Sequence, residues 1–232
     1  IIVFGLFFFK YFTLILRKYN PKILIDDQLR KPQAFHQSPI PAVGGLGIFF
    51  SFLIIYFYFL LFKNIIFFEY LTFCTLIFFI GLMDDLRINI RATIRLALMI
   101  VVLVLLIKYN NFYVENTGIE ILNNWIKNSE IFSLIFICLC FLFIINGANL
   151  IDGYNGLLGI HSLLIFVNLF LVNFLNGNNN LANFLFFEII ILAIFLKFNF
   201  PKAKIFLGDG GSYFLGTFIA ISTIQTSIAN PE

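Results

Sequence analysis

Long apolar runs separated by short polar breaks dominate this chain. The runs fall at roughly 1–16, 42–62, 65–83, 92–107, 131–148, 157–175, 181–198 and 211–229. Each is close to the length of about 20 residues that a helix needs to cross hydrocarbon. The pattern predicts an all-α, polytopic transmembrane bundle of about eight spans, forming one domain over residues 1–232. The breaks then alternate between two faces. One face receives 17–41, 84–91, 149–156 and 199–210; the other receives 63–64, 108–130 and 176–180.

Charge orients that arrangement. The first face carries Arg17, Lys18, Lys22, Arg30, Lys31, Arg87, Arg91, Arg95, Lys197, Lys202 and Lys204; the second carries only Lys63, Lys108 and Lys127. Basic residues accumulate on the cytoplasmic side of membrane proteins, so the first face is expected in the cytosol and the N-terminus outside. Composition agrees, with 61% hydrophobic residues and a mean hydropathy of +0.98, beyond what a water-soluble domain needs. Cys74, Cys138 and Cys140 lie inside apolar runs and read as packing residues. No nucleic-acid partner is expected. In the outer loop, Asn116-Thr117-Gly118 between short alternating segments predicts a β-hairpin, with Trp125 suited to the membrane interface. The chain opens on Ile1 within one run and stops at Glu232 just past another, so it reads as a longer protein truncated at its C-terminus.

All six aspartates fall in breaks of the cytosolic face: Asp26, Asp27, Asp84, Asp85, Asp152 and Asp209. Charges at the edge of hydrocarbon are costly unless paired or used. Carboxylates converging on one face suggest a divalent cation and a polyanionic substrate. Four motifs carry them. The loop Asp26–His36, continuing through Pro39-Ile40-Pro41 to Gly44-Gly45, offers basic residues, Lys31 among them, that suit phosphate. Gly81-Leu-Met-Asp84-Asp85 places two acids at a helix C-terminus, an unfavourable position next to the dipole's negative end. Compensation by Mg²⁺, Arg87 or Arg91 is expected there. Asn149-Leu-Ile-Asp152-Gly-Tyr-Asn155-Gly offers one neutral and one anionic oxygen three residues apart, and Asn155 suits a base edge. Gly208-Asp209-Gly-Gly-Ser212 opens the last span, with Ser212 expected as its N-cap and the helix start favouring phosphate. His161 reads as a helix–helix hydrogen-bonding residue. Glu188, inside the seventh run, stands as an ionisable group without a partner that the sequence can name.

In this order, the four motifs resemble the polyprenyl-phosphate N-acetylhexosamine-1-phosphate transferase family, glycosyltransferase family 4, over about residues 17–216. The stretch from His36 to Gly45 is closer to the sugar-transferase branch than to the muramoyl-pentapeptide branch. The resemblance implies Mg²⁺-dependent (or Mn²⁺-dependent) transfer of a sugar 1-phosphate from a UDP-N-acetylhexosamine to undecaprenyl or another polyprenyl phosphate. UMP is released, at the cytoplasmic side of the inner (plasma) membrane, in cell-envelope polysaccharide synthesis such as that of lipopolysaccharide. It implies Asn149 and Asp209 as metal ligands and Asp84, Asp85 and Asp152 as catalytic carboxylates. Lys31, His36, Asn155, Gly208 and Ser212 become substrate contacts. Asn155 stands where many bacterial members carry a second aspartate, and a histidine-rich loop usual in the family lies beyond this sequence. A homodimer is one option for the assembly. The alternatives are a phospho-N-acetylmuramoyl-pentapeptide transferase, an inactive membrane relative, and a cation-coupled transporter. Against the last, transporters set ionisable groups near the midplane within paired repeats, whereas the six aspartates lie at span ends on one face and no repeat appears.

Overall fold

A computed structural model describes residues 2–12, 14–15, 24–26, 39–88, 90–114 and 116–230. Asp27, Lys31 and His36 lie outside the described residues. The protein is a helical bundle. A short helix α1 (Ile2–Phe7) runs into a π-helical turn (Phe8–Phe12). Then follow α2 (Gly44–Lys63), α3 (Phe68–Asp85), α4 (Ala92–Asn110), α5 (Glu120–Asn128), α6 (Glu130–Ile151), α7 (Leu157–Leu175), α8 (Asn179–Asn199) and α9 (Asp209–Ala229). The described strands are two-residue pieces, β1 (Ile25–Asp26) and β2 (Ile40–Pro41), paired antiparallel.

Among the described residues, five helices are long and apolar enough to cross a membrane: α2, α4, α6, α7 and α8. That is fewer than the eight spans predicted. The first predicted span appears as α1 and its π turn. The third and eighth appear as α3 and α9, full-length helices of 18 and 21 residues; α3 carries three acids, Glu69, Asp84 and Asp85, and α9 is less apolar than the other long helices. For α9 the physical reason is its position. It lies at the centre, packed by α2, α3, α6 and α7, and most of its side chains are buried by protein. A helix hidden from lipid needs no lipid-compatible surface, so α9 carries Gly, Ser and Thr where a peripheral span carries Leu.

Small residues set these packings, because without water to expel, helices in membranes associate through close contact. A Cβ at Gly216 would lie 2.8 Å from Ile145 Cα, and one at Gly45 would lie 2.4 Å from Gly211 Cα. Aromatic rings fill the remaining space: Phe49 stacks on Phe78 at 4.2 Å, and Tyr70 meets Phe218 at 4.9 Å. Two polar ties cross the core, Tyr70 Oη donating to Ser222 Oγ (3.1 Å) and Asn173 Nδ2 to Thr226 Oγ1 (2.8 Å). Asn64 and Asn111, at φ 53° and 49°, end α2 and α4 as left-handed caps.

The outer loop corrects the hairpin prediction. Residues 116–123 form a side-chain-bonded turn that launches α5. Asn116 Oδ1 accepts from Gly118 N–H (2.9 Å) and Asn123 Nδ2 (2.8 Å), while Asn123 Oδ1 accepts from Thr117 N–H (2.8 Å). An Asn-Thr-Gly turn satisfied by its own side chains has no need of a partner strand. Trp125 is exposed on α5 and sets its ring edge-on to Phe132 at 5.5 Å.

Candidate active site

The start of α9 organises the site. Residues 206–207 run extended beside the segment leading into α2, with Phe206 N–H donating to Pro41 O, Gly44 N–H to Phe206 O, and Gly45 N–H to Leu207 O, at 2.8–2.9 Å. This zipper delivers Gly208 at φ 81°, a left-handed-side conformation that suits glycine. A Cβ there would also lie 2.8 Å from Asp85 Oδ2. Gly208 therefore makes room for a carboxylate of its own chain.

That carboxylate caps the helix. Asp85, at the end of α3, accepts from Asp209 N–H through Oδ1 (2.8 Å) and from Gly210 N–H through Oδ2 (2.9 Å). The expected N-cap, Ser212, lies inside the first turn instead. Its Oγ donates to Asp209 O (3.0 Å) and accepts from Asn149 Nδ2 (2.9 Å). Free N–H groups at a helix start attract an anion, and a cross-helix Asp reaches two of them where Ser212 reaches none. Asp85 thus exchanges the unfavourable end of its own helix dipole for the favourable end of another. Burial pushes its carboxyl up to about 7, with the two N–H donors pulling against that rise and the Asp209 charge adding to it.

Asp84 is compensated separately by an ion pair with Arg95, on the first turn of α4, rather than by Arg87 or Arg91. The same guanidinium lies 3.8 Å from Asp209 Oδ2 and over the Tyr213 ring at 5.6 Å. Asn149, near the end of α6, donates through Nδ2 to Asp209 Oδ1 (2.8 Å), leaving its amide oxygen without a partner among the described residues. Asp152 follows just past α6. Burial, and then the charges of Asp209 and Asp85, push its carboxyl well above the ordinary range. Four predicted acids and Asn149 thus gather at one end of the bundle, with Gly208 and Ser212 as their supports.

Asn155 sits apart from that cluster. It is exposed, donates to Pro201 O (3.2 Å), and lines a cleft of about 460 Å³ with Tyr154, His161 and Phe200. His161 is exposed and makes no helix–helix hydrogen bond among the described residues. Glu188 is buried midway along α8, with Oε1 unpaired among the described residues. Arg95 is the site residue that the sequence reading missed. By sequence it is one basic residue at a span end, yet an arginine one turn inside an apolar span needs a partner.

Among the described residues no three His, Cys, Asp or Glu side chains converge closely enough to hold a metal ion alone. The donors nevertheless fit one class of cation. The free Asn149 oxygen and the Asp209 carboxylate are hard oxygen ligands, and Mg²⁺ takes one or two such groups with substrate phosphates and water completing its shell.

The sequence is similar to those of known proteins. The model of Glycosyl transferase family 4 matches residues 67–227. The undecaprenyl-phosphate alpha-N-acetylglucosaminyl 1-phosphate transferase of Escherichia coli O157:H7 is 29% identical, over 93% of this chain and 59% of its own length. The phospho-N-acetylmuramoyl-pentapeptide-transferase of Dictyoglomus turgidum is 32% identical, over 84% of this chain and 62% of its own length. The chain thus spans about three-fifths of the length of these relatives. The match runs from the start of α3 to the end of α9 and takes in every residue of the aspartate cluster, and the chain belongs to glycosyl transferase family 4.

Proposed function

We propose that the protein passes an N-acetylhexosamine 1-phosphate from a UDP-sugar to undecaprenyl or a related polyprenyl phosphate, in a Mg²⁺-dependent reaction. An acceptor phosphate oxygen forms a bond to the sugar-bearing phosphorus, the bond from that phosphorus to the bridging oxygen breaks, and UMP leaves with the bridging oxygen. The single observation carrying this reading is the Asn149–Asp209–Ser212 cluster. It is held at a helix start beside an Arg95–Asp84 pair, at one end of the bundle.

Phosphoryl transfer between anions asks for alignment and charge neutralisation more than for covalent catalysis. Bound Mg²⁺ would supply neutralisation of the diphosphate, held by the Asn149 amide oxygen and the Asp209 carboxylate. Arg95 adds a fixed positive charge at the same place. Asp85 fixes where Asp209 stands by holding the first N–H groups of α9. Asp84, tied to Arg95, orients the acceptor side; a lipid phosphate has a second pKa near about 6 and needs little deprotonation at neutral pH. Asn155, at the cleft mouth, serves the donor's base. The excess of basic residues on the loops of this end supports a cytosolic site in the plasma membrane.

The test is a donor panel with undecaprenyl phosphate in Mg²⁺ buffer. Product from UDP-N-acetylglucosamine or another UDP-N-acetylhexosamine supports the reading. Turnover confined to UDP-N-acetylmuramoyl-pentapeptide moves the protein to the other branch, and no UMP from any donor refutes it.

A further inference from the structure

The short helix α5 divides its circumference between three surroundings. At about 100° per residue, Ile121, Leu122, Trp125 and Ile126 fall on one continuous arc, and Glu120, Asn123, Asn124, Lys127 and Asn128 fill the opposite one. The apolar arc is itself split. Ile126 is buried and Leu122 half-buried where α5 packs on α6, while Ile121 and Trp125 stay 66% and 55% exposed. The polar arc is tied to its own loop, with Asn123 Oδ1 accepting from Thr117 N–H (2.8 Å).

The uncovered pair continues a surface that already faces lipid. Trp125 sets its ring against Phe132 in the first turn of α6, and Ile131 and Ile135 next along that span are exposed. Length fixes the depth. The 22 residues of α6 extend about 33 Å at ~1.5 Å per residue, against about 30 Å of hydrocarbon. Asn149 near the far end of α6 belongs to the aspartate cluster, so the first turn emerges at the opposite boundary. A single extended residue, Ser129, joins α5 to it, which holds α5 at that boundary too.

We propose that α5 is an interfacial anchor: its Ile121–Trp125 face lies among the headgroups and upper chains of the leaflet opposite the aspartate cluster, with its polar arc in water. Lipid is the occupant because the pair is continuous with the lipid-facing side of α6. Two side chains also fall far short of what a protein partner buries, about 800 Å² a side. An indole suits the place, apolar in body with one N–H for a headgroup oxygen. Charge says which lipids qualify. Lys127 is set against Glu120, with Glu130 next along, so α5 offers no excess of positive charge and is held by apolar burial without selecting anionic lipids. The seat pins the connection between α4 and α6 to the membrane surface. This inference is independent of the catalytic reading.

Trp125 is the chain's only tryptophan, so its fluorescence reports this seat in the intact, unsubstituted protein. The protein is reconstituted into phosphatidylcholine vesicles, with and without phosphatidylglycerol, whose chains carry bromine either near the headgroup or near the chain end. Iodide on both sides of the membrane is the aqueous quencher. The expected result is blue-shifted emission, quenched most by shallow bromine, less by deep bromine and least by iodide, alike in both lipid mixtures. Ile121→Asn should shift the emission to the red and raise iodide quenching severalfold, whereas Asn124→Ser on the polar arc should change neither. Dominant quenching by iodide puts α5 in water, quenching by no reagent puts it under protein, and strongest quenching by deep bromine puts it inside the hydrocarbon; each of these overturns the proposal. A seat that needs phosphatidylglycerol overturns the charge argument, and an Ile121→Asn spectrum matching the parent's overturns the role of that face.

Discussion

Replacing Gly81 by alanine probes the joint between α3 and α9, on which the site geometry depends. A Cβ at residue 81 would lie 2.6 Å from Asp209 O and 2.8 Å from Gly210 Cα. Ordinary contact begins near 3.4 Å, so the deficit against the carbonyl is 3.4 − 2.6 = 0.8 Å. Both obstacles are backbone and cannot rotate away. The first turn of α9 must therefore retreat from α3, stretching the Asp85 bonds of 2.8 and 2.9 Å by a similar amount and beyond hydrogen-bonding range. Overpacking of this kind costs about 1–3 kcal/mol, and a hydrogen bond to a charged group contributes about 1.5–3 kcal/mol. Alanine's better helix propensity returns about 0.5–1 kcal/mol. We expect a net loss of about 2–4 kcal/mol in unfolding free energy, and turnover lowered about 100-fold by displacement of Asp209 from Asn149. Unfolding in mixed micelles and UMP release on the same preparation give the two readouts. Gly147→Ala is the matched control, since nothing lies within 4 Å of its Cβ position, and it should be stabilising by about 0.5–1 kcal/mol. A Gly81→Ala protein as stable and as active as the parent would refute the argument.

Three further outcomes follow from the same geometry. Asp209→Ala and Asn149→Ala should each abolish Mg²⁺-dependent turnover while changing thermal stability little, and near-normal activity in either at ordinary Mg²⁺ would remove the metal assignment. Burial raises Asp85 from 3.8 to about 7, so in metal-free buffer the parent should lose stability as pH climbs from 4 through 7. Asp85→Asn, which keeps an acceptor for one of the two N–H groups, should make that slope shallower, with Asp152 supplying the remainder, whereas Asp85→Ala, orphaning both, should unfold about 1–3 kcal/mol sooner; equal melting profiles for the two variants would contradict the capping role. Glu188→Leu removes a buried carboxyl whose Oε1 is unpaired, and should leave turnover intact with equal or higher stability; loss of activity in a folded variant would give Glu188 a role that the active-site cluster does not assign to it.

Much of this was legible in the sequence because hydrophobic run lengths and loop charges report directly on which ends of helices meet. The convergence of Asp84, Asp85, Asp152 and Asp209 at one end followed from counting spans. What the sequence hides is pairing across distance. Asp85 does end its own helix, as the sequence says, but the N–H groups that it caps belong to another helix and lie 124 residues further on. Arg95 looked like one basic residue among many until its place against Asp84 and Asp209 emerged. Ser212 carries the cap signature, but a carboxylate from another helix won the cap. Hydropathy finds the α9 run but not its place, because it measures suitability for lipid and α9 is surrounded by protein. In the outer loop, the Asn-Thr-Gly signal marked a true turn, and only its continuation into α5 rather than a second strand escaped the pattern.

The central claim is best tested by UMP release in purified protein supplied with UDP-N-acetylglucosamine, undecaprenyl phosphate and Mg²⁺, with each withheld in turn. The account predicts release that needs the acceptor lipid and the metal together, yields lipid-linked sugar diphosphate in equal amount, and vanishes in Asp209→Ala. Release that proceeds without the lipid, or survives loss of Asp209, would contradict it.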